Sequence, residues 1–151
     1  MDFTLSKEHE MARALFREFA EKEVKPLAIE VDETEVFPRE TVEKMAKAGF
    51  MGIPVPKEYG GQGCDILTYA MCVEELAKVC GTTAVIVSAH TSLCVDPILT
   101  FGTPEQKEKY VPDWAPFNDG YADFERCFKA LKDVGYDGYV TFEDFSSAET
   151  S

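Results

Sequence analysis

The chain has 151 residues, 45% of them apolar and 12% aromatic, and a formal charge of −13. That apolar content supports a sizeable core and excludes a disordered chain. The negative balance argues against binding nucleic acid or an anionic membrane. Five cysteines, an odd number without a CxxC pair, favour buried thiols over disulfides or metal ligands. No uninterrupted apolar run reaches membrane-spanning length and the first residues do not read as a signal peptide, so the expected setting is soluble and cytoplasmic.

Ser6 opens a first helix whose apolar stripe is Met11, Ala12, Leu15, Phe16, Phe19 and Ala20, with Lys25-Pro26 closing it. Residues 27–35 are acidic and weakly patterned. Pro38 sits at a first-turn position of a second helix with a stripe of Val42, Met45 and Ala46, and Gly49 stops it. Residues 50–55 are apolar enough to be buried while extended. Pro54 and Pro56 brace that approach, and Gly60, Gly61 and Gly63 permit a tight reversal.

Asp65 then caps the most strongly patterned helix in the chain, with Ile66, Tyr69, Ala70, Val73, Leu76 and Ala77 expected on its core face. Gly81 stops it, and Thr82 or Thr83 can cap a further helix. Residues 83–93 are apolar nearly all round, the pattern of a helix buried on most sides or set against a ligand or partner. Pro97 is expected to interrupt it. Thr103-Pro104-Glu105-Gln106 is a capping box with proline at the first helical position, starting a short helix to Tyr110. The pattern up to this point describes a mainly α bundle of five or six helices joined by short loops.

The character changes at Pro112. Residues 113–119 look like a linker or junction. Phe124, Phe128 and Leu131 mark an amphipathic helix ending at Gly135, and residues 139–145 have β propensity, a short α-β tail with a single strand. Residues 147–151 read as a disordered end. Residues 1–112 hold 12 Lys/Arg against 19 Asp/Glu, while residues 113–151 hold 3 against 9. The second part is thus far more acidic per residue, which suggests two origins. Within residues 1–112 no serine, cysteine or carboxylate is expected to have the partner that nucleophilic or acid–base chemistry requires.

The stretches MDFTLSKEHEMAR, PKEYGGQGCD, VEELAK and SLCVDPILTFGTPEQKEKYVP occur in this order across residues 1–112. They resemble the N-terminal helical domain of the acyl-CoA dehydrogenases, especially the bacterial short-chain, butyryl-CoA type. The resemblance implies FAD-dependent α,β-dehydrogenation of an acyl-CoA thioester, with an electron-transferring flavoprotein as electron acceptor. It also implies that Val85, Ala89, His90 and Leu93 form a wall of the acyl pocket. The family's flavin-binding middle domain and the C-terminal domain with the catalytic glutamate have no counterpart, so the chain alone is expected to be catalytically incomplete and to bind no FAD. Left without those domains, it could instead serve as a self-associating interaction module. Residues 120–146 resemble the last helix and strand of a sugar-phosphate isomerase/epimerase-type (xylose isomerase-like) TIM barrel. That implies Glu143 as one ligand of a divalent metal, with a working metal site not expected from one strand.

Overall fold

A computed structural model of the chain describes residues 4–114 and 132–133. The chain divides into two units, Met1–Gly120 and Tyr121–Ser151, and the fold below is that of the first. Residues 132 and 133 are helical and exposed. The rest of the expected tail helix, the strand at 139–145, Glu143 and most of the linker lie outside the described residues.

The described residues form an α bundle without strands, as the periodicity implies. Helix α1 (Lys7–Phe19) leads through a π turn (Ala20–Val24) and a 3₁₀ turn (Lys25–Leu27) into α2 (Ala28–Thr34). Helices α3 (Arg39–Lys47) and α4 (Ile66–Ala77) follow. Next, α5 (Gly81–Ala89) passes through a second π turn (His90–Val95) into α6 (Asp96–Phe101). Helix α7 (Pro104–Trp114) is the last described. Helix α4 lies against both α1 and α5, so the strongly patterned helix is the centre of the unit.

The caps follow the sequence closely. Ser6 Oγ accepts from the His9 backbone N–H at 3.2 Å, and Asp65 Oδ1 accepts from the Thr68 N–H at 2.8 Å and its hydroxyl at 2.7 Å. Thr103 and Gln106 close the capping box, with N–H to side-chain contacts of 2.7 and 3.3 Å. Each bond satisfies a donor that the first helical turn leaves without a partner.

Two prolines behave otherwise than expected. Lys25-Pro26 does not end the first helix and Pro97 does not break the long one. In both cases the residue before the proline donates its N–H five residues back, Lys25 to Ala20 O and Asp96 to Thr91 O. That π-type bond relieves the crowding of the proline ring against the preceding turn, so helical backbone continues beyond it. The last helix likewise runs past Tyr110 and through Pro112 to Trp114.

Residues 50–55 are buried as expected, but not extended. Phe50–Gly52 is a 3₁₀ turn, and the glycine reversal folds back on it through Gln62 N–H to Gly52 O (2.9 Å), Gly63 N–H to Val55 O (2.8 Å) and Cys64 N–H to Ile53 O (2.9 Å). The approach is so close that a Cβ on Gly61 would stand 2.2 Å from Val55 O. The main core gathers Phe16, Ala20, Val42, Met45, Phe50, Met71 and Leu76. Phe50 receives Phe16 edge-on, with ring centroids 5.1 Å apart, and Phe19 at 4.8 Å. A smaller cluster joins Val55, Val95 and Val111.

The stripes are rotated from the expected ones in two helices. On α4 the buried residues are Thr68, Met71, Cys72, Glu75 and Leu76, while Ile66 is 65% exposed and Ala70 and Ala77 face solvent. The cause is Glu75: its carboxylate faces α1, where arginines neutralise it, and the helix turns accordingly. On α1, Phe16 and Ala20 are buried but Met11 and Leu15 are exposed.

Candidate functional site

The long helical rod formed by α5, the second π turn and α6 carries the residues singled out from sequence. It starts at Cys80, which occupies the N-cap position without a side-chain capping bond; the expected Thr82 or Thr83 cap is absent. Thr83 is instead inside the helix and buried, its hydroxyl donating to Cys80 Sγ at 3.3 Å. Tyr69 ties α4 to the rod through its hydroxyl, which donates to Ser88 O at 3.2 Å. From Gly81 to Phe101 the rod is 21 residues long, and an 18-residue stretch within it has a mean hydropathy of 1.5. By length and composition it passes the test for a membrane-crossing helix, contrary to the sequence reading; the core helix of a soluble protein passes the same test.

One side of the rod faces the core through Ala84, Val87, His90, Thr91 and Val95, all buried. The other side exposes Val85 (63%), Leu93 (77%) and Phe101 (86%), with Ala89 half-buried between the first two. Four-residue steps on an α-helix overshoot a full turn by about 40°. A pure α rod would therefore carry Phe101 about 160° round from Val85. The π turn at His90–Val95 interrupts that regular progression, and Val85, Leu93 and Phe101 are the large apolar side chains the rod leaves exposed. Of the four residues expected to line an acyl pocket, Val85 and Leu93 are exposed and Ala89 is half-buried. His90 is separated from them, with 7% of its surface exposed.

Two polar constellations escaped the sequence reading. On α1 and α4, Arg17 donates to the buried Glu75 carboxylate through Nε and Nη2, at 3.0 and 3.1 Å, and Lys78 adds a contact at 2.8 Å. Arg13 bonds Glu74 at 2.6 Å. The hydrogen bonds from Arg17, outweighing the cost of burial, hold the Glu75 carboxyl well below the usual range, at about 2. The available signal was the spacing: Arg13 and Arg17, like Glu74 and Lys78, stand four apart on helix faces.

The second constellation joins a serine, a histidine and an aspartate, where no serine, cysteine or carboxylate was expected to have the partner that nucleophilic or acid–base chemistry requires. Ser6 Oγ lies 3.0 Å from His9 Nδ1, and His9 Nε2 lies 2.9 Å from Asp65 Oδ2. The order serine–histidine–aspartate matches a catalytic relay, but Ser6 and Asp65 are both helix caps. The imidazole therefore ties the start of α1 to the start of α4. Backbone and side-chain bonds from Thr68, with a smaller part from His9, hold the Asp65 carboxyl at about 2. Among the described residues no group of three or more His, Cys, Asp or Glu could hold a metal ion. Glu143 lies outside them.

A bundle of this order, built round a capped central helix and a long apolar rod, is that of a known domain class. Residues 6–117 match the family model described as acyl-CoA dehydrogenase, N-terminal domain. The chain belongs to this family. It is 62% identical over 111 residues to the short-chain specific acyl-CoA dehydrogenase of Clostridium acetobutylicum, a match covering 74% of this chain and 29% of that protein. Among solved structures it is similar to the butyryl-CoA dehydrogenase of Megasphaera elsdenii, at a TM-score of 0.72 and 35% identity, covering 77% of this chain and 31% of that one. A chain in the structure reported for the electron transferring flavoprotein of Acidaminococcus fermentans matches at a TM-score of 0.73 and 46% identity, over 77% of this chain and 30% of that one. The chain therefore spans less than a third of the length of these relatives.

Proposed function

We propose that the chain supplies the helical N-terminal part of a flavin-dependent acyl-CoA dehydrogenase, and that its long rod forms one wall of the acyl cavity. The supporting observation is the exposure of Val85 and Leu93, with Ala89 half-buried between them, within the stretch that matches the family. Such apolar surface suits an alkyl chain, whose burial is favourable by about 0.8 kcal/mol per methylene. His90 packs inward and supports the rod rather than touching substrate.

FAD is the cofactor the family implies. Its pyrophosphate needs cationic or N–H donors, and the rod exposes Val85, Leu93 and Phe101 instead. These residues alone do not fit the cofactor, and no step is derived through it. The flavin site and the catalytic carboxylate belong to the portions of the relatives that this chain does not span, so the isolated chain carries out no dehydrogenation. An acyl-CoA thioester and an electron-transferring flavoprotein are the partners of the whole assembly. A second reading, self-association of the chain through the same exposed residues, is favoured by the exposure of Leu93 and Phe101. The likeness of residues 120–146 to a TIM-barrel end, Glu143 included, is read as a passenger segment with no metal chemistry of its own.

The test is a chimera in which residues 1–112 replace the matched stretch of the Clostridium acetobutylicum relative. The chimera should oxidise butyryl-CoA, and Leu93→Ala within it should raise KM without altering the unfolding midpoint. A chimera that folds with flavin bound but shows no response to Leu93→Ala would remove the rod from the acyl cavity.

A further inference from the structure

The segment between Lys25 and Arg39 is chemically unlike the rest of the helical unit. It carries Glu30, Asp32, Glu33 and Glu35 and no lysine or arginine. Neighbouring carboxylates are neutralised locally: Glu18 by Lys22, Glu21 by Lys25, and Glu23 and Glu40 by Lys44. None of the four in this segment joins an ion pair among the described residues.

The same segment exposes large apolar groups. Ile29 is 74% exposed, Val36 65% and Phe37 41%. Helix α2 has seven residues and none of them is buried. Isolated helices need about 12–15 residues to approach stability in water, and this one is held to the core by little more than the half-buried Ala28. Its C-cap, Glu35, holds a left-handed backbone with φ of 55°, a conformation that is uncommon for a non-glycine residue and persists where surroundings hold it.

We propose that residues 27–37 are a docking strip for a protein surface with an apolar floor and a rim of lysine and arginine. The inference rests on the reading above, that the chain works as one part of a larger assembly, and it names the chemistry of the surface met at this end. Charge selects the occupant. Four carboxylates without an ion pair, in the same exposed segment as Ile29, Val36 and Phe37, attract a cationic surface and repel an anionic bilayer, and a second copy would bring the same four carboxylates.

The experiment titrates the full chain with a synthetic amphipathic helix of about 18 residues, leucines on one face and lysines round it. Saturable binding is expected, weakening as salt screens the rim. Ile29→Ser with Val36→Ser, and separately Glu30→Lys with Glu33→Lys, should each weaken it about tenfold. The unfolding midpoint should move little, because Ile29, Glu30, Glu33 and Val36 are all exposed. Glu43→Lys with Glu108→Lys, exposed carboxylates elsewhere, should leave binding unchanged. The proposal is overturned if that control weakens binding as much, if the strip variants have no effect, or if Ile29→Ser abolishes a dimer seen in sedimentation, which would give the strip to a second copy. Dehydrogenase turnover by the chain alone would remove the underlying reading instead, whatever the peptide does.

Discussion

Glu75 shows how a single charged residue sets a helix face. A carboxylate with 1% of its side chain exposed is costly unless paired, and the two-nitrogen grip of Arg17 with Lys78 beside it supplies the pairing. Because its folded pKa of about 2 lies below the ordinary 4.5, its contribution is fully present above that ordinary value and is lost as pH falls toward 2. Asp65 adds a loss of the same sign, from 3.8 down to about 2. Urea midpoints measured from pH 6 to 2 should therefore fall through this window, and Glu75→Gln should make the fall shallower while lowering the unfolding free energy at neutral pH by about 1–3 kcal/mol. An equally steep fall in the variant would place the acid sensitivity elsewhere. Cysteine chemistry divides at the same scale. Burial pushes the Cys72 thiol up to about 12, whereas Cys64 is exposed. Alkylation at pH 8 followed by peptide mapping should modify Cys64 and spare Cys72 until the protein unfolds.

At the scale of elements, the faces make the sharpest test. Leu76 is fully buried and Ile66 is 65% exposed, so Leu76→Ala should cost about 2–5 kcal/mol and Ile66→Ala less than about 1. Equal costs would restore the stripe expected from periodicity. Gly61→Ala should also destabilise, since the new methyl would meet the Val55 carbonyl.

Much of this level was legible in the chain: Ser6, Asp65 and Thr103 cap as their types dictate, and Gly49 stops α3 with φ of 81°. The faces of α1 and α4 were less so, because α4 is apolar on nearly every side and an apolar count treats Glu75 as solvent-facing. Only its cross-helix partners, 58 residues away in sequence, reveal that it points inward. The π turns were hidden for a similar reason. A proline reads locally as a break, and whether the helix resumes depends on packing such as that of Val95 against Val55 and Val111. Within the candidate site, Val85 and Leu93 are exposed and Ala89 is half-buried, whereas His90 packs inward.

At the scale of the whole molecule, the described residues 4–114 form a packed helical bundle with several large apolar groups left exposed, among them Leu93, Phe101, Ile29 and Met11. That combination fits a domain whose neighbours cover part of its surface. Removing residues 119–151 should shift the unfolding midpoint little if they are a passenger, and a sharp drop in a denaturation series would show that they support the bundle. The central claim is that this chain is a family domain without chemistry of its own. Its most direct test is butyryl-CoA-dependent dye reduction by the purified full chain with added FAD. The account predicts a rate indistinguishable from FAD alone; saturable turnover that scales with the chain's concentration would contradict it.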